Sequence, residues 1–256
     1  MSIKITFLGT GTSQGVPLIG CPCAICQSTD ARDKRLRSSL LIESDTTTIV
    51  IDAGPDFRQQ LIRANVKRLD AVVFTHSHKD HLAGLDDIRA FNYLQGKAMD
   101  LYATQATQHQ IRTEFAYIFA EHKYPGIPEV NMIEIDKDAV FTVGDIQLNA
   151  IEVMHYKMQV LGFRIHDFTY ITDANFIAPS EIEKIRGSKY LVLNALRREP
   201  HISHFTLEQA VDMAHRIDAK HTYFTHISHQ LGFHEDVNQE LGDNISLAYD
   251  MLSFEI

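Results

Sequence analysis

The amino-acid sequence predicts an α/β protein built as a four-layer αββα sandwich: two mixed β-sheets face to face, with helices outside, over positions 1–256 as one domain. Three observations predict it. Short β-rich runs alternate with helical patterns throughout. Strand-rich stretches fall in both halves, each with its own helices. Runs such as Thr48-Ile49-Val50-Ile51 and Ala71-Val72-Val73-Phe74 are apolar on both sides, so each sheet needs cover on either face.

The elements follow in order. Ile3–Leu8 reads as the first strand and ends in a Gly-Thr-Gly turn. Ser39–Glu43 and Thr48–Asp52 follow as strands. A helix over Pro55–Ala64 comes next, with Pro55 where a first-turn proline is tolerated. Then come strand Ala71–Thr75, helix Leu82–Leu94, strand Leu101–Ala103 and helix Ala106–Phe119. The second half opens with strands Met132–Ile135, Ala139–Val143, Ile146–Val153, Leu161–His166 and Phe168–Thr172. Val143-Gly144-Asp145-Ile146 and Ile165-His166-Asp167-Phe168 read as hairpin turns. Helix Ser180–Ile185, strand Tyr190–Asn194, helix Thr206–Ile217 and strand His221–Thr225 precede helices over Glu235–Leu241 and Ser246–Leu252. Thr206 and Gln209 have capping-box spacing, and Leu207, Ala210, Val211, Ala214 and Ile217 form one apolar stripe.

Composition narrows the class. The chain has 256 residues, is 45% hydrophobic and carries a formal charge of −9. That balance argues against a broad electrostatic footprint for nucleic acid or an anionic membrane. No apolar stretch approaches membrane-spanning length, and the N-terminus reads as a strand rather than a signal peptide, so a cytoplasmic location is expected. All 3 cysteines lie between positions 21 and 26, which excludes a long-range disulfide framework.

Thr75-His76-Ser77-His78-Lys79-Asp80-His81 concentrates the chemistry. It spaces His76, His78, Asp80 and His81 as H-x-H-x-D-H directly after an apolar strand. Imidazoles and carboxylates are the usual ligands of Zn, Mn and Fe, and strand C-termini are where α/β proteins place their sites. On an extended backbone His76 and His78 point the same way. A turn after Lys79 brings Asp80 and His81 round to a second ion. Asp52, His155, Asp173 and His226 each end or follow another apolar run.

Asp52 in Ile51-Asp52-Ala53-Gly54, then His76, His78, Asp80, His81, His155, Asp173 and His226 in that order, resemble the metallo-β-lactamase-fold superfamily. The resemblance implies the same αββα fold and a dinuclear site. His76, His78 and His155 would hold one metal, and Asp80, His81 and His226 the other. Asp173 would bridge them, and Asp52 would orient the ligand loop from behind. Two such cations, Zn or Mn or Fe, hold a hydroxide at neutral pH and clamp a substrate oxygen. Redox relatives carry an acidic residue where His78 stands, so histidine there favours hydrolysis.

Cys21-Pro22-Cys23-Ala24-Ile25-Cys26 is C-x-C-x-x-C, most of a tetrahedral zinc site, and His229 is the fourth ligand we expect, three residues after His226. With Leu8-Gly9-Thr10-Gly11-Thr12-Ser13 and Val16-Pro17, this knuckle resembles the PhnP branch, which comprises cyclic-phosphate phosphodiesterases. The resemblance implies a structural zinc on Cys21, Cys23, Cys26 and His229, and it is compatible with a homodimer.

His204, just before a helix, resembles the family's acid histidine, with His201 as its competitor. Asp80 and His204 are the expected catalytic residues, and loss of Asp80 or His78 should abolish turnover. The Gly9–Ser13 loop could present N–H groups to a phosphate or be a plain turn. Arg32-Asp33-Lys34-Arg35-Leu36-Arg37 reads as a solvated face rather than a phosphate site. Phe91, Tyr93, Tyr156 and Phe205 are aromatic candidates for a pocket wall.

The expected function is therefore metal-dependent hydrolysis of a small, cyclic or open phosphodiester. Three alternatives compete with it: tRNA 3′-end processing, thioester or lactam hydrolysis, and a non-catalytic metal-dependent binding protein. Positions 95–132 look too short for an RNA-clamping arm, which places nucleic acid behind a small molecule as partner.

Overall fold

The computed structural model describes residues 2–122 and 124–256. Its first sheet comprises β1 (Lys4–Gly9), β2 (Ser39–Glu43), β3 (Thr48–Ile51), β4 (Ala71–Val73), β5 (Met99–Ala103) and β6 (Val130–Glu134). The second comprises β7 (Val140–Val143), β8 (Ile146–His155), β9 (Met158–Ile165), β10 (Phe168–Tyr170), β11 (Tyr190–Asn194), β12 (His221–Thr225) and β13 (Ile245–Leu247). β14 (Ser253–Glu255) returns to the first sheet beside β1. Each sheet is antiparallel on one side and parallel on the other. β3 to β6 run parallel, as do β10 to β13. The carboxyl ends of these parallel strands carry the site, the usual placement in α/β sheets.

Alternation along the strands builds the layers. Ile5, Phe7, Ile49, Ile51 and Val73 face Ala150, Leu161, Phe163, Phe168 and Tyr170 of the other sheet in a central core. The opposite faces pack on helices. Leu41, Val50, Val72 and Leu101 lie under α2 (Phe57–Arg63), α4 (Arg89–Gln95) and α5 (Gln105–Glu114). Ile151, Val153, Leu191, Leu193 and Phe224 lie under α6 (Pro179–Ile185) and α7 (Leu207–Ile217). Three short helices complete the set: α1 (Ala24–Gln27) in the cysteine knuckle, α3 (Lys79–Leu82) and α8 (His234–Glu240). This is the αββα sandwich expected from the sequence. Both expected hairpins form, and Thr206 and Gln209 make a reciprocal capping box.

Three helix expectations are corrected. Leu82–Leu94 is broken into α3, a 3-10 turn over Leu85–Ile88 and α4. The break falls at Gly84, which lies against the Gly54 carbonyl and donates its N–H to Ala53 O at 2.9 Å. Asp80 and His81 accordingly sit on a helical turn. Ala106–Phe119 is helical only to Glu114 and then tightens to 3-10 geometry. Ser246–Leu252 is not a helix: Ile245 and Leu247 are buried with half-buried Ser246 between them, in a strand parallel to β12. Its apolar spacing imitates a helical stripe, but the unfilled edge of β12 decides the pairing.

Candidate metal centre

Six chain segments deliver side chains to one edge of the sandwich. Asp52 follows β3, His76 and His78 follow β4, and α3 carries Asp80 and His81. His155 ends β8, Asp173 follows β10, and His226 follows β12. Asp52 and His226 both adopt left-handed backbone, with φ of 66° and 56°. Non-glycine residues seldom adopt it, and strain of this kind gathers at functional sites.

One hydrogen-bond relay fixes two of the imidazoles. Asp52 Oδ2 accepts from His81 Nδ1 at 2.7 Å and from Thr75 Oγ1 at 2.8 Å. Thr75 Oγ1 has then given its only proton, so it accepts from His76 Nδ1 at 2.9 Å. Both rings therefore turn Nε2 into the site. Those two nitrogens are buried and have no hydrogen-bond partner. Likewise His155 donates Nδ1–H to Ser203 O at 2.8 Å, and His226 Nδ1 meets Ser38 Oγ at 3.2 Å. Buried polar atoms without partners cost about 1–3 kcal/mol each, so several at one point imply an electrophile between them.

The carboxylates complete that picture. His81 Nε2 lies 3.2 Å from both Asp80 Oδ2 and Asp173 Oδ2, and His226 Nε2 lies 3.3 Å from Asp173 Oδ1. Burial alone would lower His81, but Asp173, Asp80 and Asp52 outweigh it and hold its proton well above the usual range. Burial raises Asp173, yet His226 and His81 together bring it well below the carboxylate range. The site demands positive charge, which a cation supplies as well as a proton does.

The donors form two groups that share Asp173. Asp80, His81, Asp173 and His226 each offer an atom within 4.8 Å of the others. The His76 and His78 rings lie 4.7 Å apart, at 5.8 and 5.1 Å from His155. Asp173 also groups with His155 and His204, so it touches both halves. A nitrogen-and-oxygen donor set of this kind fits Zn, Mn or Fe. His204 is closer in than a flanking acid requires, its ring 4.5 Å from His155 and 4.7 Å from His226. Its Nδ1 is buried, unpartnered and 3.8 Å from Asp173 Oδ1. Burial, then His226, pushes it down to about 2. His201 is less buried and stands behind it at 5.1 Å.

A second donor group forms the knuckle. His229 Nδ1 lies 3.5 Å from Cys21 Sγ and 3.3 Å from Cys23 Sγ, and Cys26 joins them within 4.8 Å. These separations approach the edge of a zinc tetrahedron, about 3.6 Å for typical Zn–S and Zn–N lengths. His229, then the Cys26 N–H, lowers the Cys23 thiol to about 6, whereas burial raises Cys26 to about 11. The knuckle pins the N-terminal loop to the loop that carries His226.

Two loop expectations resolve differently. The Gly9–Ser13 loop is no phosphate cradle: the N–H groups of Thr10, Gly11 and Thr12 go to Asp250 Oδ1, Leu36 O and Ile227 O. The basic run is not a solvated face. Arg35 is buried and bonds Thr10 Oγ1, Ala248 O and His234 Nδ1, while Arg37 pairs with Asp56 at 3.0 Å. Sequence reasoning missed Ser38, Thr75 and Ser203 as partners of the imidazoles. Thr75 stood inside the motif, but a main-chain contact such as Ser203 O leaves no residue-type signal. Of the four aromatic candidates only Tyr156 lines the cavity at His78 and His155, whereas Phe205 is buried in the outer core.

A domain described as "Beta-lactamase superfamily domain" matches residues 47–227, from just before β3 to just past His226. The chain belongs to the beta-lactamase superfamily. A crystal structure described as "a New Diphosphatase from the PhnP Family" is 39% identical, superposes with a TM-score of 0.94, and is matched over 100% of this chain and 98% of that one. Within the superfamily the chain therefore belongs to the PhnP family. An octanoyltransferase of Porphyromonas gingivalis is 39% identical over 98% of this chain but only 51% of its own length, so the chain spans about half of that relative. A ribonuclease Z of Anoxybacillus flavithermus is 24% identical over 99% of this chain and 97% of its own. Among the described residues, no helix is long and apolar enough to cross a membrane.

Proposed function

We propose that this beta-lactamase superfamily member hydrolyses a small phosphodiester at two divalent cations. His76, His78 and His155 would hold one, Asp80, His81 and His226 the other, and Asp173 would reach both. Cys21, Cys23, Cys26 and His229 would hold a separate zinc. The supporting observation is the Asp52–Thr75 relay, which aims Nε2 of one imidazole from each ligand set into the same buried space. When bound, such a cation pair makes a water acidic enough to attack near neutral pH and polarises a phosphoryl oxygen.

The chain's own residues do the rest. Asp52 keeps His76 and His81 in the tautomer that presents Nε2. Ser203 O and Ser38 Oγ do the same for His155 and His226. Burial, then His226, disfavours the imidazolium of His204, and an anionic phosphate beside it would favour it. A proton on its Nδ1 faces Asp173 Oδ1, which leaves Nε2 for the leaving oxygen.

The PhnP-family diphosphatase supports a closely related second reading. A diphosphate also presents phosphorus with a bridging oxygen to expel, so the same residues serve. The transferase name belongs to a protein only half covered by the match, and it does not carry over. The RNA reading is disfavoured because α5 folds back on the first sheet, burying Ile111 and packing Phe115 and Phe119 against the outer core. The test is turnover of bis(p-nitrophenyl) phosphate, a 2′,3′-cyclic nucleotide and a nucleoside diphosphate, with metal content measured alongside. Turnover lost in Asp80→Ala with folding retained supports the proposal. Two bound cations with no turnover on any of these esters would sink it.

A further inference from the structure

Beside the histidines lies a cavity of about 420 Å³ that the proposed reaction leaves unassigned, within the range of small-molecule sites. Tyr156, Lys157 and Ile202 border it together with His78, His155 and Ser203. Tyr156 and Lys157 are the two turn residues between β8 and β9, directly after His155. Tyr156 has a φ of 60° at the first central position of this hairpin turn, where glycine or asparagine is the usual occupant. A bulky residue in that conformation is a strained outlier. Among the described residues seven non-glycine residues have positive φ, and the two others at this edge, Asp52 and His226, belong to the proposed metal centre itself.

The surroundings maintain the strained turn. Tyr156 N donates to Asn175 Oδ1 at 2.8 Å, and Asn175 Nδ2 donates to Ile202 O at 3.1 Å. One asparagine thus ties both parts of the cavity's border. The side chains so held are left uncovered: Tyr156 is 49% exposed and Ile202 64%. Lys157 Nζ lies 5.2 Å from the Tyr156 ring centroid and makes no ion pair among the described residues. An aromatic ring, an apolar side chain and an unpaired cation therefore stand together within reach of the catalytic histidines. Among the described residues neither Tyr156 nor Ile202 is covered, although glycine would make the turn with less strain.

We propose that Tyr156, with Lys157 and Ile202, binds a planar aromatic group of the substrate, such as a nucleobase, beside the scissile phosphate. The inference rests on the phosphodiesterase reading for its substrate class. The ring supplies a stacking face, Ile202 an apolar contact, and Lys157 a charge for a second anionic group of the same molecule.

The test compares 2′,3′-cyclic AMP with glycerol 1,2-cyclic phosphate, which lacks a base, on the metal-loaded protein. Base stacking is worth about 1–3 kcal/mol, so Tyr156→Gly should lower the ratio of kcat/KM for the two substrates by about 5- to 150-fold, mainly through KM. The ratio cancels any general loss of metal or fold, and Tyr156→Phe should preserve it. Binding of adenosine monophosphate by calorimetry gives a second readout that needs no turnover, and Tyr156→Gly should weaken it. An unchanged ratio in Tyr156→Gly overturns the inference, as does an equal loss in Tyr156→Phe. Absent turnover with Tyr156-dependent binding would instead retire the phosphodiesterase reading and keep this one. Absence of both would retire both.

Discussion

Asp52 Oδ2 accepts the Nδ1–H of His81 at 2.7 Å, and through Thr75 the same oxygen also orients His76. A single carboxylate behind the site therefore aligns one imidazole from each proposed ligand set. Removing it leaves His81 Nδ1–H, the Thr75 hydroxyl and the Thr75 backbone N–H without their acceptor, and so loosens both rings. Asp52→Ala should lower affinity for divalent metal by about 10- to 100-fold, with a matching loss of turnover at limiting metal. Metal titration against a competing chelator measures it, and an unchanged affinity would show that the relay is incidental.

The knuckle gives a prediction separable from activity. Cys23→Ser removes a donor that lies 3.3 Å from His229 Nδ1. Bound zinc should fall by one per chain while the metals at the histidine site remain. The tie between the N-terminal loop and the His226 loop is then lost, and Tm should drop by roughly 10 °C. Metal analysis with a thermal melt on the same sample checks both. A full zinc complement in the variant would exclude Cys23 as a ligand.

The metal centre was legible because its ligands are polar residues placed directly after apolar strands. His76, His155, Asp173 and His226 announce themselves by interrupting such runs. What positions them was less legible. Ser38 and Ser203 reach His226 and His155 across 188 and 48 residues, a relationship no local spacing records. Arg35 misleads for the same reason. In sequence it sits in a basic run, yet it is buried only because Thr10, Ala248 and His234 arrive from elsewhere to receive its protons. Ser246–Leu252 was misread because its apolar spacing suits a helix, and only the open edge of β12 selects a strand.

Arg35 and His234 make one part of the acid response calculable. Burial, then the charge of Arg35, lowers His234 from 6.5 to about 4. Arg35 donates to Nδ1 at 3.1 Å, so the folded state needs that nitrogen unprotonated. The unfolded chain takes up the proton first, so stability is full above the unfolded value and falls as pH drops through the window from about 6.5 to about 4. Between about pH 7 and about pH 5 this one group should cost on the order of 2 kcal/mol. His234→Gln keeps an acceptor without the titration. Its stability by urea unfolding should fall less steeply over that range, and parallel curves for variant and parent would refute the assignment.

Gly54 and Gly84 set how closely α3 approaches β3. A methyl group on Gly54 would overlap the Asp80 carbonyl oxygen, and one on Gly84 would overlap the Gly54 carbonyl oxygen. Both obstacles are backbone atoms, so no side-chain rotation relieves them. Ala53 N bonds His81 O at 2.8 Å and Gly84 N bonds Ala53 O at 2.9 Å, which locks the helical turn against the loop that carries Asp52. Substituting either glycine must therefore push Asp80 and His81 away from Asp52 and from Asp173. Gly54→Ala should cost about 2–4 kcal/mol in stability, at the upper end for a single substitution. It should also lose metal at the histidine site while the knuckle zinc stays bound. Equal retention of both metals would mean that α3 can shift without carrying its ligands with it.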